Sequence, residues 1–277
     1  INASGNNQGA PLHPGETISM DWVQTLPGNY HGTFFVLTEL NGTVTPGDSS
    51  PSITIFSATN GETDVLSSNT TTLSDSPDVA ADGKSTVYES IIGGVNQIFL
   101  RRETNAPVQI TNGNDGSYAP SISADGGYVV FYSYATDLVV GDNNGLADVY
   151  FYDAILNRTT RISISASGDD SNGGSFSPVI DLNGSRIAFE SFADNLGSDP
   201  NPTHSDIFLY DVPTGTLQGI SIYSPALALE PERRKSLAWG SFQPDISDDG
   251  KRVVYRSYSS NLIADDPNTS ANEPNDT

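Results

Sequence analysis

PSISADGGYVVFYS, running from Pro120 to Ser133, is the stretch that decides the fold. Its Asp125-Gly126 pair separates two apolar-rich segments and sits where a two-residue hairpin turn needs positive φ. The same fourteen positions align without gaps on PDVAADGKSTVYES from Pro77, PVIDLNGSRIAFES from Pro178 and PDISDDGKRVVYRS from Pro244. Every copy has Pro first, Val or Ile third, Asp or Asn and then Gly at the sixth and seventh places, and Ser at the fourteenth. Each therefore reads as strand, tight turn, strand.

Outward from this hairpin the repeat continues. SYATDL at 133–138, SFADNL at 191–196 and SYSSNL at 257–262 follow one pattern. After a loop comes a third strand in NQIFLR from Asn96, DVYFYD from Asp148 and DIFLYD from Asp206. A fourth is expected around Gln109–Thr111, Arg161–Ile164 and Gly219–Ile222. Four antiparallel strands per unit, repeated with period variation confined to loops, define an all-β β-propeller of four-stranded antiparallel blades. Four full blades are expected at about 16–68, 69–112, 113–172 and 173–240, with a partial fifth at 241–277 and a flexible arm at 1–15. The first is degenerate, with strands in ISMDWV, TFFVLTEL and SITIFSATNG. The fifth offers two strands before Thr277, and an open blade edge calls for completion by further chain, by the N-terminal segment or by another subunit.

Composition narrows the partners. The 277 residues carry a formal charge of −22, with 25 Asp against 9 Glu and only 3 Lys. Such a surface repels phosphate backbones and anionic lipid, which argues against nucleic acid. No apolar run approaches the length of a membrane helix, so no membrane insertion is expected. The absence of Cys removes disulfides, thiolate catalysis and cysteine-held zinc. Starting at Ile1 and rich in Ser, Thr, Asn and Gly, the chain reads as secreted, extracellular or at the cell surface, with the periplasm compatible.

The core P-x-[VI]-x-x-[DN]-G-x-x-[VI]-x-[FY]-x-S, with the later [DN]-x-[IVF]-[FY] strand, resembles the TolB-like (WD-like) propeller repeats of bacterial envelope and secreted proteins over roughly residues 75–265. The resemblance implies the propeller fold and, in most such repeats, binding of protein or other ligands. No partner-binding residue carries over, because no position here matches a partner-binding motif.

Chemistry is sought first in the loops between second and third strands. In DNNGLAD the side chains of Asp142, Asn144 and Asp148 and the Leu146 carbonyl occupy positions 1, 3, 7 and 5, the alternation that wraps oxygens around calcium. Asp199, Asn201 and Asp206 correspond in the fourth blade after a one-residue insertion, and Asp266, Asn268 and Asp276 offer a weaker set in the fifth. Calcium is the only cofactor expected, and the family resemblance points the same way. The competing reading is that Asp and Asn merely form side-chain turns ahead of a strand.

Catalytic patterns are thin: no nucleophile elbow, zinc-helix or phosphate-loop motif occurs, and His13, His31 and His204 lie far apart. Glu89 and Glu190 recur at one repeat position, but Tyr132 and Arg256 hold it elsewhere, so a solvated strand face is expected there. Tyr88, Phe131, Phe189, Tyr255, Phe99, Tyr150 and Phe208 recur at strand positions and read as core between blades. Residues 223–240, with Arg233, Arg234, Lys235 and Trp239, read as a solvated insertion.

The expected function is a calcium-stabilised binding or scaffolding module for a protein or glycan ligand. Two rivals stand beside it. One is a subunit of an extracellular assembly or filament, a homo-oligomer closed by strand addition at the fifth blade. The other is a carbohydrate-active enzyme with its site in the propeller funnel.

Overall fold

A computed structural model describes residues 54–56, 63–65, 74–103, 105–197, 204–222, 240–259 and 262, all within the compact unit Ser49–Thr277. Every regular element among them is a β-strand, and no helix is long and apolar enough to cross a membrane. Strands β1 (Thr54–Phe56) and β2 (Thr63–Val65) pair antiparallel. The rest of the expected first blade, the arm, and everything beyond 262 lie outside the described residues.

Three complete sheets follow. The second blade is β3 (Ser74–Val79), β4 (Ser85–Ile92), β5 (Val95–Arg102) and β6 (Val108–Gln109), hydrogen-bonded in chain order. The third is β7 (Ser117–Ile122), β8 (Tyr128–Ser133), β9 (Asp148–Asp153) and β10 (Arg158–Arg161). The fourth is β11 (Ser175–Ile180), β12 (Arg186–Ser191), β13 (Asp206–Asp211) and β14 (Thr216–Gly219). The pair β15 (Ser241–Ile246) and β16 (Val253–Ser257) opens the fifth. First strands of successive sheets are neighbours, β3 beside β7, β7 beside β11 and β11 beside β15, as in a propeller.

The middle strands of the third blade are buried on both faces, which explains the apolar runs Tyr128–Tyr132 and Val149–Tyr152. Val129, Phe131, Tyr150 and Tyr152 join Val87, Ile98, Leu100 and Ile122 on the side of the second blade. Val130, Val149 and Phe151 join Ile187, Phe189 and Phe208 on the side of the fourth. The recurrent aromatics stack in pairs within each blade: Tyr88–Phe99 at 5.7 Å, Phe131–Tyr150 at 5.6 Å and Phe189–Phe208 at 5.8 Å between centroids. The reading as core between blades holds for Phe131, Tyr150, Phe189 and Phe208; Tyr88 is buried and Phe99 half-buried on the second blade outside those two clusters.

The hairpin turns depart from expectation. Gly83, Gly126, Gly184 and Gly250 have φ of +67°, +68°, +69° and +67°, but the preceding Asp or Asn does not have positive φ. Ser123 N donates to Tyr128 O at 2.9 Å and Gly126 N to Ser123 O at 3.0 Å, so four residues form the loop rather than two. The Asp is used differently: Asp125 Oδ1 accepts from Gly127 N at 2.8 Å and from Ser123 Oγ at 2.9 Å. These turns also join blade to blade, Asp82 N to Ala124 O at 3.2 Å, Ala124 N to Leu182 O at 2.9 Å and Leu182 N to Asp248 O at 3.2 Å.

The fourth strand starts one residue earlier than expected in the second blade and three residues earlier in the third and fourth. Asp153 Oδ1 accepts both Ile155 N and Leu156 N at 2.9 Å, so the chain reverses at once and Arg158 already pairs with Asp153.

Each first strand carries a bulge at the repeated proline. Register shifts fall between Asp75 and Asp78, Tyr118 and Ser121, Phe176 and Val179, and Phe242 and Asp245. Ser76, Ala119, Ser177 and Gln243, each just before the Pro, have φ of 47° to 53°. A proline has no N–H for a ladder, so a strand interior admits it at such an irregularity.

Candidate functional site

The calcium-patterned loop of the third blade closes around an arginine. Arg161, the last residue of β10, points its guanidinium between the loop acids. Its Nη1 lies 3.0 Å from Asp142 Oδ1 and 3.2 Å from Asp148 Oδ2, and its Nη2 lies 2.5 Å from Asp170 Oδ1 and 3.1 Å from the Gly141 carbonyl. The side chains of Arg161, Asp142 and Asp148 are 7%, 1% and 0% exposed. Burial opposes charge on the guanidinium, but Asp170, Asp148 and Asp142 outweigh it and raise its pKa. Asn144 does not aim an oxygen at a common centre: its Oδ1 accepts Leu146 N at 2.9 Å and its Nδ2 reaches Asp148 Oδ2 at 3.2 Å. The Tyr150 hydroxyl donates to Asp142 Oδ2, and burial and then Asp142 push its pKa far up.

Asp148 also tethers the outer strand. It accepts from Ser163 Oγ, which in turn accepts Val149 N at 3.0 Å, and from Ser171 Oγ at 3.0 Å. Burial is the largest cause of its raised pKa. Asp206 repeats the tether, accepting from Ser221 Oγ at 2.7 Å while Ile207 N donates to Ser221 at 2.8 Å. In the second blade Gln97 does the same with Thr111, 2.7 Å apart, so the bond does not depend on a carboxylate. Asp199 and Asn201 lie outside the described residues, as do Asp266, Asn268 and Asp276. No group of three or more His, Cys, Asp or Glu suited to a metal stands among the described residues.

Glu89 and Glu190 correct the expectation of a solvated strand face. They are 7% and 8% exposed. Glu89 Oε1 accepts the bulge N–H of Ala119 in the next blade at 2.7 Å, and Oε2 accepts Asn96 Nδ2 at 2.5 Å. Glu190 faces Gln243 N, the next bulge on, at 3.5 Å, and burial raises its pKa. The recurrence comes from the bulges, which leave an N–H for the preceding blade to satisfy.

The same strand ends build an aromatic ledge whose parts lie partly upstream of the aligned repeat. GSYAP, GSFSP and GSFQP begin at Gly116, Gly174 and Gly240, and Tyr134, Phe192 and Tyr258 follow the fourteenth-position serines. A Cβ on Gly116 would collide with the Tyr118 ring, and one on Gly174 would come within 2.8 Å of Phe176, so glycine lets each ring lie back on its own strand. Serine hydroxyls clamp the two strands beneath: Ser117–Ser133 at 3.0 Å, Ser175–Ser191 at 2.8 Å and Ser241–Ser257 at 2.9 Å. Tyr118 stacks on Tyr132 at 5.4 Å, Tyr132 meets Phe176 edge-on at 5.4 Å, and Phe176 meets Phe192 at 6.2 Å. Tyr134 touches Tyr118, Tyr132 and Phe176 at 6.2 to 6.4 Å. The ledge thus runs across two blades, with Tyr134 and Phe192 39% and 42% exposed.

These sheets are the blades of a β-propeller. No protein-family model matches the chain, and no curated protein matches it significantly. Among solved structures it is similar to TolB from Acinetobacter baumannii, at 18% identity and a TM-score of 0.46, over 74% of this chain and 42% of that one. A putative TolB from Agrobacterium tumefaciens gives 18% identity and 0.43, over 76% and 79%. An oligogalacturonate lyase in complex with manganese gives 13% identity and 0.43, over 74% and 50%. The chain thus spans less than half of the first of these. The blade architecture itself rests on the sheets and inter-blade bonds described above.

Proposed function

We propose that the chain is an exported binding and scaffolding propeller that engages its partner through the aromatic ledge. The observation that supports this reading is the ledge itself: partly exposed rings held on clamped strand ends rather than on mobile loops. Contiguous exposed rings rimmed by polar groups mark an interaction surface more often than solvated surface. Tyr134→Ala with Phe192→Ala removes the exposed rings and leaves the core in place. On arrays of neutral glycans, acidic glycans, neutral peptides and basic peptides, at least one class should be retained by the unaltered protein and lost by this double variant. Identical retention by both proteins, or none by either, contradicts the reading.

Calcium belongs to this proposal at the fourth blade. Arg161 already supplies positive charge in the third, whereas its counterpart is Gly219, paired with Phe208 as Arg161 is with Tyr150. Asp199, Asn201 and Asp206 would then hold the ion, which stabilises the native state by mass action. Chelation should lower the melting temperature of the unaltered protein and leave an Asp199→Ala, Asn201→Ala variant unmoved. Equal melting of the unaltered protein with and without chelator removes calcium from the account.

A further inference from the structure

The fifth blade shows what such a ledge accepts. Tyr258 stands at the repeat position of Tyr134 and Phe192, and the Arg256 guanidinium meets it at the hydroxyl edge, donating to the hydroxyl oxygen with its carbon 4.7 Å from the ring centroid. Phe242 packs against Tyr258 at 6.0 Å, as Phe176 packs against Phe192. In the third and fourth blades the place of Arg256 is taken by Tyr132 and Glu190, so neither of those strand positions brings a cation to the rings. What flanks them instead is acidic. Exposed Asp115 acts electrostatically on Tyr118, exposed Asp137 accepts Asn114 N at 2.8 Å beside Asp115, and Asp194 follows Phe192 by two residues.

Resting on the ledge as the binding face, we infer that its occupant is an arginine-bearing, cationic segment of a protein partner. A guanidinium beside Tyr134 would bring between molecules the pairing of arginine with tyrosine that Arg256 and Tyr258 make within one, a second would rest on the face of Phe192, and the exposed carboxylates supply charge complementarity. Arg suits this better than Lys because its planar, weakly hydrated head stacks on a ring face while its N–H groups still reach carboxylates. The net charge of −22 draws such a segment in from a distance, and the rings decide where it rests.

The test is a calorimetric titration of the full chain with a heptapeptide alternating glycine and arginine, at physiological salt. Tyr134→Ala with Phe192→Ala should weaken binding about tenfold, since two cation–π contacts are lost while formal charge is unchanged. Tyr134→Phe should bind as the unaltered protein does, and so should Val140→Ala, a control at a fully solvent-facing position. Thermal melts establish that the variants fold. Equal affinity in the double variant means that diffuse charge alone holds the peptide, and overturns the inference. If a neutral glycan or peptide needs the rings while the arginine peptide does not, the binding face survives and the cationic occupant is wrong. If no ligand depends on the rings, both fall.

Discussion

Arg161 illustrates how one side chain organises a loop. Asp142 and Asp148 both meet the Arg161 guanidinium from buried positions, and a buried carboxylate deprived of its partner is costly. Arg161→Ala strips that cation and should destabilise the protein by about 3–5 kcal/mol, the usual cost of orphaning a buried charge. Urea denaturation measures this, and a loss below about 1 kcal/mol would mean that the acids find other partners. Calcium added to the same variant distinguishes a preformed oxygen cage from a purely guanidinium-shaped one. Because Asn144 turns its oxygen onto Leu146 N, no recovery of melting temperature is expected. The acids were legible in the sequence as a spaced set, but their cation was not. Arg161 lies thirteen residues beyond Asp148, and only the tight reversal at Asp153–Asn157 brings it back beside the loop.

At the scale of the strand, the bulges explain most of what repeats. The proline is visible in every copy, whereas the Gly-Ser-aromatic run before it stands in only three of the four and so lies outside the shared repeat. A proline inside an inner strand signals an irregularity, and that signal was available. Its consequence, an N–H handed to Glu89 or Glu190 of the preceding blade, needed the packed sheets to be seen. The bulge residues hold φ near +50°, a conformation costing a non-glycine residue roughly 1–2 kcal/mol. Ala119→Gly should therefore hold or raise the melting temperature. Ala119→Val should lower it, because a β-branched side chain tolerates positive φ poorly. A valine variant as stable as the parent would mean that the bulge is not an obligatory feature. The strand hairpins themselves were legible from apolar runs and Asp-Gly pairs. The length of the turn was not, because Asp-Gly serves both two-residue loops and longer ones in which only Gly takes positive φ.

Across the whole molecule, acid should stabilise rather than unfold over the mild range. Burial raises the pKa of Asp78 and Glu190, so the folded chain binds their protons more readily than the unfolded chain does. Their contribution is fully present below the unfolded carboxylate range, near pH 4, and is lost as pH rises through their folded values. Self-repulsion from the −22 charge acts in the same direction. Asp125 and Asp249 oppose this at lower pH. Backbone acceptance from Gly127 lowers the first, and Ser247 and Lys251 hold the second at about 2. Melting temperature should accordingly rise from pH 8 towards about pH 5 and fall below about pH 4. A maximum above pH 7 would contradict the assignment.

The propeller holds its exposed rings on clamped strand ends, and there they form the proposed binding face. Aromatic carbon–proton NMR of the full chain, titrated with the glycine–arginine peptide, tests it most directly. Saturable shifts of Tyr118, Tyr132, Tyr134, Phe176 and Phe192 are expected, with the buried pair Phe189 and Phe208 unmoved. Shifts spread over acidic surface far from these rings, with Tyr134 and Phe192 silent, would contradict it.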